Sequence, residues 1–436
     1  MVGQPDRGWA RVLVLAALAG CGGGSGSSPM GPGGGLDGAA GGGLDAGADG
    51  SPYDAVSPSG GIQPTGGTPL QLPLVVSSGG PVLPAPRVQA IYYPGFPYPT
   101  ELDRFLANLA KSAYWPAVMT EYGVGLPTIL PSVASAVMVP SAITDGDIPG
   151  LLENALAQHA ALGPPRADTI YVVFLPPTTT LTVNSMVFCG RGPAGYHREV
   201  TISGVTVPAA IIPTCTATAG DLSLTGASVL TPALSHELVE AAADPFPDSA
   251  PAFKSTDPAH VMWAVAMNGG EIADLCENDR PNLITPDDIG FPVVRIWSNL
   301  AAMGTGGPCV PVPAGETYFT AVARLPTTTR VQLPGGVTAD VASVVATAGA
   351  AASVTVDFRA DDPSLSWRVL AIEFHDAASV ASLLMGATAL TGRAGENHSI
   401  PILAPTTTSS GIFPLVVLSR STSGSQHLWV GAVRRE

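Results

Sequence analysis

Residues 22–84 limit, more than any other feature, what this chain of 436 residues can fold into. The stretch holds 20 of the 51 glycines and four aspartates, and it has no lysine or arginine. Such a composition buries too little apolar surface to offset the conformational entropy that is lost on ordering. We therefore predict a disordered tether over residues 21–85, spanning about 45 Å as a Gly-rich coil, and we expect folded domains only after it.

The first 20 residues predict export of the chain. Arg7 and Arg11 precede an apolar run over residues 12–19. A helix of this length covers about 12 Å, far less than a bilayer core, so the run is typical of a signal peptide (residues 1–20). It closes on the sequence LAGC, which resembles a bacterial lipobox and implies cleavage before Cys21 and lipidation of that residue. The alternative is a signal peptide that happens to contain a cysteine.

Lipid on Cys21 predicts where the protein acts and what it contacts. Two or three acyl chains anchor a protein firmly, so we expect it in the cell envelope, on the periplasmic or cell-surface side of a membrane. The 34 acidic residues outnumber the 19 basic ones and give a net charge of −15, which excludes the basic surface that a phosphate backbone requires. We therefore expect a membrane-anchored monomer with no nucleic-acid partner, whose substrate is a peptide or a surface polymer.

The other four cysteines predict disulfide bonds. An even number of cysteines in an exported, oxidising compartment indicates two bridges. Three pairings are possible, and we predict the one that joins neighbours in sequence, Cys189 with Cys215 and Cys276 with Cys309. A four-cysteine zinc site is the alternative, but no pair of these cysteines has the CxxC spacing of such a site.

The residue pattern changes twice after the tether. Residues 86–313 mix helical and strand patterns: 169–175 is a continuous apolar strand, and Thr231-Pro232 opens a helix that Pro245 ends. In residues 316–436 short runs of alternating apolar and polar residues recur without a long helical pattern, which is typical of a β-sandwich. The prediction is an α+β domain over 86–313, followed by a small all-β sandwich domain over 316–436.

One motif in the predicted helix can carry chemistry. The sequence SHELVE contains His236, Glu237 and Glu240 in an HExxE pattern. His236 and Glu240 are four residues apart, so they share one helical face and can bind one zinc ion. Glu237 lies about 100° around the helix, the position of the general base in HExxH enzymes. The alternative is an ordinary amphipathic helix in which His236 and Glu240 form a surface pair.

A zinc site needs a further ligand, and the sequence GGEIADLC over residues 269–276 is the best candidate. Its glycines allow close approach of the backbone, and a disulfide at Cys276 would hold the segment in place. We predict Glu271 as the metal ligand and Asp274 as the residue that orients His236; the reverse assignment and a pair of ordinary loop acids remain alternatives. His197 and His260 are weaker candidates.

Five segments resemble a group of secreted bacterial proteins and lipoproteins: SHELVEAAADP, DPAHVMW, GGEIADLCEN, VVRIWSN and PCVP. The IYY, VVFLPP and CG…GYH segments are more remotely similar to the plant phosphate-induced (EXORDIUM-like) family. The resemblance covers residues 86–313. It implies a zincin-like fold for that domain, with His236, Glu237, Glu240, Glu271 and Asp274 as functional positions.

Two functions fit these features. The first is a zinc-dependent hydrolase of the peptidase type, in which zinc polarises the scissile carbonyl and Glu237 accepts a proton from water. The second is a non-catalytic surface protein for binding or adhesion, in which the HExxE helix is a relic or holds a structural ion. Whether Glu271 or Asp274 lies beside His236 and Glu240 distinguishes the two.

Overall fold

The computed structural model of the protein describes most of the chain after the Gly-rich stretch. The signal peptide, Cys21 and most of the predicted tether lie outside the described residues, so these interpretations stay predictions. The described residues are 70, 72–159, 163–189, 194–215, 224–267, 269–304, 306–332, 338–375, 383–384, 387–405 and 409–436.

Six α-helices have both ends within the described residues, and these six all end before residue 303. None of them is long and apolar enough to cross a membrane. The helices are α1 (Pro99–Leu109), α2 (Tyr114–Met119), α3 (Ile148–Ala157), α4 (Thr231–Ala243), α5 (Val261–Met267) and α6 (Asn299–Ala302).

Fifteen strands accompany these helices, which makes the fold mixed α+β, as predicted. Six of them form a central sheet: β2 (Arg87–Tyr92), β3 (Thr128–Ile129), β4 (Val133–Ala134), β6 (Thr169–Leu175), β9 (Tyr196–Ile202) and β10 (Val205–Pro213). The others form small sheets: β1 (Val75–Val76), β5 (Ala142–Thr144), β7 (Thr180–Val183), β8 (Met186–Val187), β11 (Ser255–Thr256), β12 (Leu283–Ile284), β13 (Val293–Val294), β14 (Ile296–Trp297) and β15 (Cys309–Val310).

The central sheet has the order β3-β2-β6-β10-β9, with β4 also paired to β2. All pairs are parallel except β9 with β10. Every residue of β6 is buried, as expected for a parallel strand that is covered on both faces. Helix α3 packs on one face, where Ile148 and Leu152 join Tyr171 and Val173 in the core, and helix α4 packs on β9 and β10.

The alternation of side chains along β9 decides which of its residues meets α4. Tyr196 belongs to the core on the α3 side. Since successive residues of a strand point to opposite faces, His197 points to the other face, which α4 covers. His197 pairs in register with Ala210 of β10, and both are buried.

Ordered structure begins before the predicted domain boundary at residue 86. Leu72 and Val75 are buried, and β1 pairs antiparallel with β11. The backbone N–H of Val75 also donates to Oδ1 of Asn299, at 2.9 Å. The apolar sequence LPLVV gives this segment the buried surface that the glycines before it lack.

The remaining strands, after residue 316, form one sheet of nine: β16 (Phe319–Ala323), β17 (Thr327–Gln332), β18 (Thr338–Ala346), β19 (Ala352–Ala360), β20 (Ser366–Glu373), β21 (Leu390–Arg393), β22 (Asn397–Leu403), β23 (Gly411–Arg420) and β24 (Gln426–Arg435). Its order is β16-β19-β22-β20-β23-β24-β18-β17, with β21 beside β20. Strand β16 also lies against β23 and β24, so the sheet folds over and encloses Phe319, Phe358 and Trp367.

The α+β region and this β-region pack on each other. Helix α5 lies against β18, β23 and β24. Arg280 and Gln426 exchange two backbone hydrogen bonds, of 2.7 and 2.9 Å. Residues 72–436 therefore belong to the same packed unit.

Both predicted disulfides are confirmed. Cys189 is bonded to Cys215, and Cys276 is bonded to Cys309. The first bridge connects the segments on either side of the β9–β10 hairpin, and the second joins the 269–276 loop to strand β15. Because all four thiols are used in these bonds, the alternative of a four-cysteine zinc site is excluded.

Candidate metal centre

Helix α4 is buried along its whole length. On one side its hydroxyl groups are satisfied by the segment that leads into β13: Oγ1 of Thr231 donates to the carbonyl of Pro292 (2.7 Å), and Oγ of Ser235 accepts from the N–H of Val294 (3.1 Å). On the other side β9 and β10 cover it. The helix can therefore place ionisable groups only in the protein interior.

The three polar residues of the HExxE motif are all buried. The exposed fractions of His236, Glu237 and Glu240 are 2%, 0% and 2%. The alternative interpretation, a surface pair on an amphipathic helix, is therefore wrong. Buried carboxylates need partners, and the two groups below supply some of them.

His236, Glu240 and Asp274 form the first group. Nε2 of His236 lies 3.1 Å from Oε2 of Glu240 and 3.5 Å from Oδ1 of Asp274. This corrects the predicted roles, since Asp274 rather than Glu271 completes the His236–Glu240 pair. Space explains the difference: a Cβ atom on Gly269 would lie 1.9 Å from Oδ2 of Asp274, so only glycine leaves room for this carboxylate.

His197, Glu240 and Glu271 form the second group. Nδ1 of His197 lies 3.5 Å from Oε2 of Glu240, and its Nε2 lies 3.4 Å from Oε2 of Glu271. Glu271 is thus a member of the site, as predicted, but beside a different histidine. In each group, one donor atom per residue lies within 4.8 Å of the other two.

These separations suit a bound zinc ion. Donor atoms that each lie 2.0–2.2 Å from a tetrahedral ion are roughly 3.3–3.6 Å apart. The shortest contact, 3.1 Å between His236 and Glu240, is slightly below that range, and the contact between His236 and Asp274 lies within it. In the second group, Glu240 and Glu271 contact different ring nitrogens of His197, so these two distances do not describe a single ion. Imidazole nitrogen and carboxylate oxygen are both zinc ligands.

Glu237 lies in the same cluster. Its Oε2 is 3.5 Å from Nδ1 of His197, and neither of its carboxylate oxygens accepts a hydrogen bond from the described residues. Glycine at position 195 leaves room for the Glu237 carboxylate, because a Cβ atom on Gly195 would lie 3.2 Å from Oε1 of Glu237. A fully buried carboxylate without hydrogen bonds indicates a missing positive or proton-donating partner.

Burial raises the pKa of the acids in the 271–277 segment. It raises the pKa of Asp274 to about 6, and the negative charge of Glu240 adds to the rise. Burial likewise holds the pKa of Glu271 and that of Glu277 well above their usual range. Without a cation, these groups retain protons at a pH where exposed acids have lost theirs.

The pKa values of Glu240 and His197 shift in the directions expected for an ion pair. Burial acts to raise the pKa of Glu240, but His236 and His197 outweigh it and hold the pKa below its usual range. Burial acts to lower the pKa of His197, but Glu271, Glu237 and Glu240 outweigh it and hold the pKa well above its usual range. Histidine protons therefore stand where a metal ion would otherwise supply positive charge.

All five residues predicted for the site lie in this cluster. His197, a weaker candidate, also belongs to it, and Glu277 was not predicted. His260 does not belong to it, because its Nδ1 lies 2.9 Å from both carboxylate oxygens of Asp257.

A second buried acidic group lies where the two regions meet. His427 of β24 contacts Oδ2 of Asp279 through Nδ1 at 2.8 Å, and its Nε2 is 3.9 Å from Oε1 of Glu316. Nη1 of Arg295 lies 3.5 Å from Asp279 and 3.1 Å from Glu316. The guanidinium already provides the positive charge that a metal ion would bring.

Comparison with family models, curated proteins and solved structures finds no match to this sequence. The resemblance to secreted bacterial lipoproteins stays a prediction. The geometry of the cluster is therefore the basis for the functional argument.

Proposed function

We propose that the protein is a lipid-anchored, zinc-dependent hydrolase of the peptidase type with a zincin-like α+β fold. The observation that carries the proposal is the position of Asp274, whose carboxylate lies 3.5 Å from Nε2 of His236 on the HExxE helix. This is the third ligand that HExxE alone lacks. The paired histidines, the shared Glu240 and a Glu237 that accepts no hydrogen bond from the described residues all fit a divalent cation.

Five residues of the cluster have a role in the proposed reaction. His236, Glu240 and Asp274 would hold the zinc, which would supply a Lewis acid for the scissile carbonyl. Glu237 accepts a proton from the attacking water, since both of its oxygens are free of hydrogen bonds from the described residues. Nδ1 of His197, 3.5 Å from Glu237, helps to orient that carboxylate.

The lipid anchor is proposed from the LAGC sequence and supported by the disulfides. Structural disulfides form in exported proteins and are rare in the cytosol of most bacteria. The Cys189–Cys215 and Cys276–Cys309 bonds therefore agree with an extracytoplasmic location. They leave Cys21 as the only cysteine available for lipid.

The burial of the cluster favours a second candidate, a non-catalytic surface protein with a structural ion. The exposed fraction of each ligand residue is at most 6%, and structural zinc sites are closed whereas catalytic ones keep an open position. In this case the ion fixes the 269–276 loop against α4, and the protein acts in binding or adhesion.

One experiment separates the two candidates. The full chain is loaded with zinc and incubated with a peptide library, beside Glu237→Gln. For the hydrolase we expect cleavage by the wild type and a rate at least about 100-fold lower in the variant, which loses the general base but no ligand. Equal zinc content in both proteins is the internal control.

Zinc binding without any cleavage would support the structural ion instead. If Glu237→Gln cleaves as fast as the wild type, Glu237 is not the base. If the wild type binds no zinc, both candidates fail.

A further inference from the structure

Glu240 stands between the two groups of ligands. Its Oε2 atom lies 3.1 Å from Nε2 of His236 and 3.5 Å from Nδ1 of His197. Asp274 completes the group on the His236 side, and Glu271 completes the group on the His197 side. One carboxylate oxygen therefore faces two histidines. Asp274 lies at the same nitrogen of His236 as Glu240, whereas Glu271 lies at Nε2 of His197, not at the Nδ1 that faces Glu240. One nitrogen of His197 is nevertheless within 4.8 Å of an oxygen of each acid.

The backbone holds Glu240 in this position. Its other oxygen, Oε1, accepts hydrogen bonds from the N–H groups of Ala273 and Asp274, at 3.1 and 3.3 Å. Oε1 is thus used, and Oε2 is left to contact both histidines. Two ions that each lie about 2.2 Å from one oxygen are at most about 4.4 Å apart, which includes the roughly 3.5–4 Å of two-metal sites.

The charge of the cluster also matches two ions better than one. Glu237, Glu240, Glu271 and Asp274 are exposed by 0–6% and together carry four negative charges when ionised. One divalent cation would leave two of these buried charges to be balanced by retained protons, which would cost a histidine or an acid its role as a ligand. Two divalent cations balance all four, with both histidines neutral and acting as ligands.

We propose that Glu240 bridges two divalent cations, one held by His236 and Asp274 and the other by His197 and Glu271. The proposal rests on the metal centre of the proposed function and adds a second ion to it. Paired ions at this spacing occur in aminopeptidases, so the substrate class stays that of the proposed function, a peptide.

The number of bound ions tests the proposal directly. The full chain is loaded with zinc, freed of excess metal and examined by native mass spectrometry and elemental analysis. We expect two zinc ions per chain. One ion per chain would overturn the two-ion centre and leave the proposed hydrolase intact, whereas none would overturn both.

Substitutions that keep side-chain size assign the ions to their ligands. Asp274→Asn and Glu271→Gln should each retain one ion, and Glu240→Gln should bind neither ion stoichiometrically. Glu316→Gln, which removes a buried carboxylate beside Arg295 and outside both groups, is the control and should retain two. Two ions retained in both Asp274→Asn and Glu271→Gln would contradict the assignment, and circular dichroism shows whether each variant is folded.

Discussion

Two buried acidic groups lie close together in the sequence, one before Cys276 and the other after it. Before the disulfide, Glu271 and Asp274 face two histidines and two further glutamates of α4. After it, Asp279 faces Arg295 and His427. We call them the α4 cluster and the Arg295 cluster.

The two clusters differ in how their negative charge is balanced. In the Arg295 cluster a guanidinium with 1% exposure contacts both acids and also donates to the carbonyl of Cys309. In the α4 cluster the ionic partners found among the described residues are the two histidines. The α4 cluster contacts no arginine among the described residues, and its acids and histidines are placed so that they could hold a metal ion.

The largest effect is expected where the chain supplies its own cation. Arg295→Met leaves Asp279 and Glu316 with His427 as the basic group beside them, and breaking a buried ion pair in this way costs about 3–5 kcal/mol of unfolding free energy. Denaturant unfolding at pH 7 measures the loss. Arg330→Met, which breaks an exposed pair with Asp340 (70% and 53% exposed side chains), is the control and should cost at most about 1 kcal/mol.

Equal losses in the two arginine variants would mean that Arg295 does not balance the buried acids. The proposed difference between the two clusters in how their negative charge is balanced would then be wrong for the Arg295 cluster.

Zinc should stabilise the α4 cluster and leave the Arg295 cluster unaffected. At a free concentration 100 times its dissociation constant, a ligand adds about 2.7 kcal/mol to the free energy of unfolding. His236→Ala should abolish this gain, because it removes a ligand of the first group. Thermal unfolding with and without zinc measures it.

His427→Gln is the matched control, since His427 is equally buried but sits beside Arg295. Its stability should still rise with zinc by about the wild-type amount. If His427→Gln loses the response and His236→Ala keeps it, the ion binds in the Arg295 cluster.

The α4 cluster could be predicted in large part from the sequence because its ligands are close along the chain. A helix brings residues four apart onto one face, and the two glycines before Glu271 indicate that the backbone of this segment approaches its neighbours closely. Which acid meets His236 could not be predicted, since it depends on the space that Gly269 leaves beside Asp274.

His197 and the Arg295 cluster could not be found from spacing. His197 comes from a strand edge 39 positions before His236 in the sequence, and tertiary packing alone brings it to α4. Signals did exist in both cases. Gly195 precedes His197, and Arg295 interrupts the apolar run VVRIW, where a charged residue must have buried partners.

Two features of the fold could not be predicted without tertiary information: where the ordered chain begins, and how the strands of the β-region are arranged. Residues 72–85 have little helical or strand pattern, and their order depends on the pairing of β1 with β11, far along the chain. Alternation predicted the strands after residue 316 but not their joining into one sheet of nine, because register between distant strands is not a local property.

The smallest effect expected here is a pH dependence of stability that the α4 cluster should show without metal and lose with zinc bound. Burial raises the pKa of Asp274 to about 6 and that of Glu271 above its usual range, and the surrounding carboxylates raise that of His197. Each of these groups binds its proton more tightly in the folded protein, so its stabilising contribution is complete below the unfolded pKa and is lost as pH rises through the folded one. Glu240, whose pKa is lowered, has the opposite sign and acts only below about pH 4.5.

Between about pH 4.5 and 7 the metal-free protein should therefore lose stability, by roughly 2 kcal/mol for a carboxyl raised by about two pKa units. The zinc-loaded protein should not, because the ion displaces these protons and binds more tightly as pH rises. Urea unfolding across this range, with and without zinc, measures both slopes. Glu316, in the Arg295 cluster, also has a raised pKa and contributes to both slopes alike, so their difference isolates the α4 cluster. Asp274→Asn should reduce that difference and Glu316→Gln should not; the reverse result would place the proton uptake beside Arg295 and remove the distinction between the two clusters.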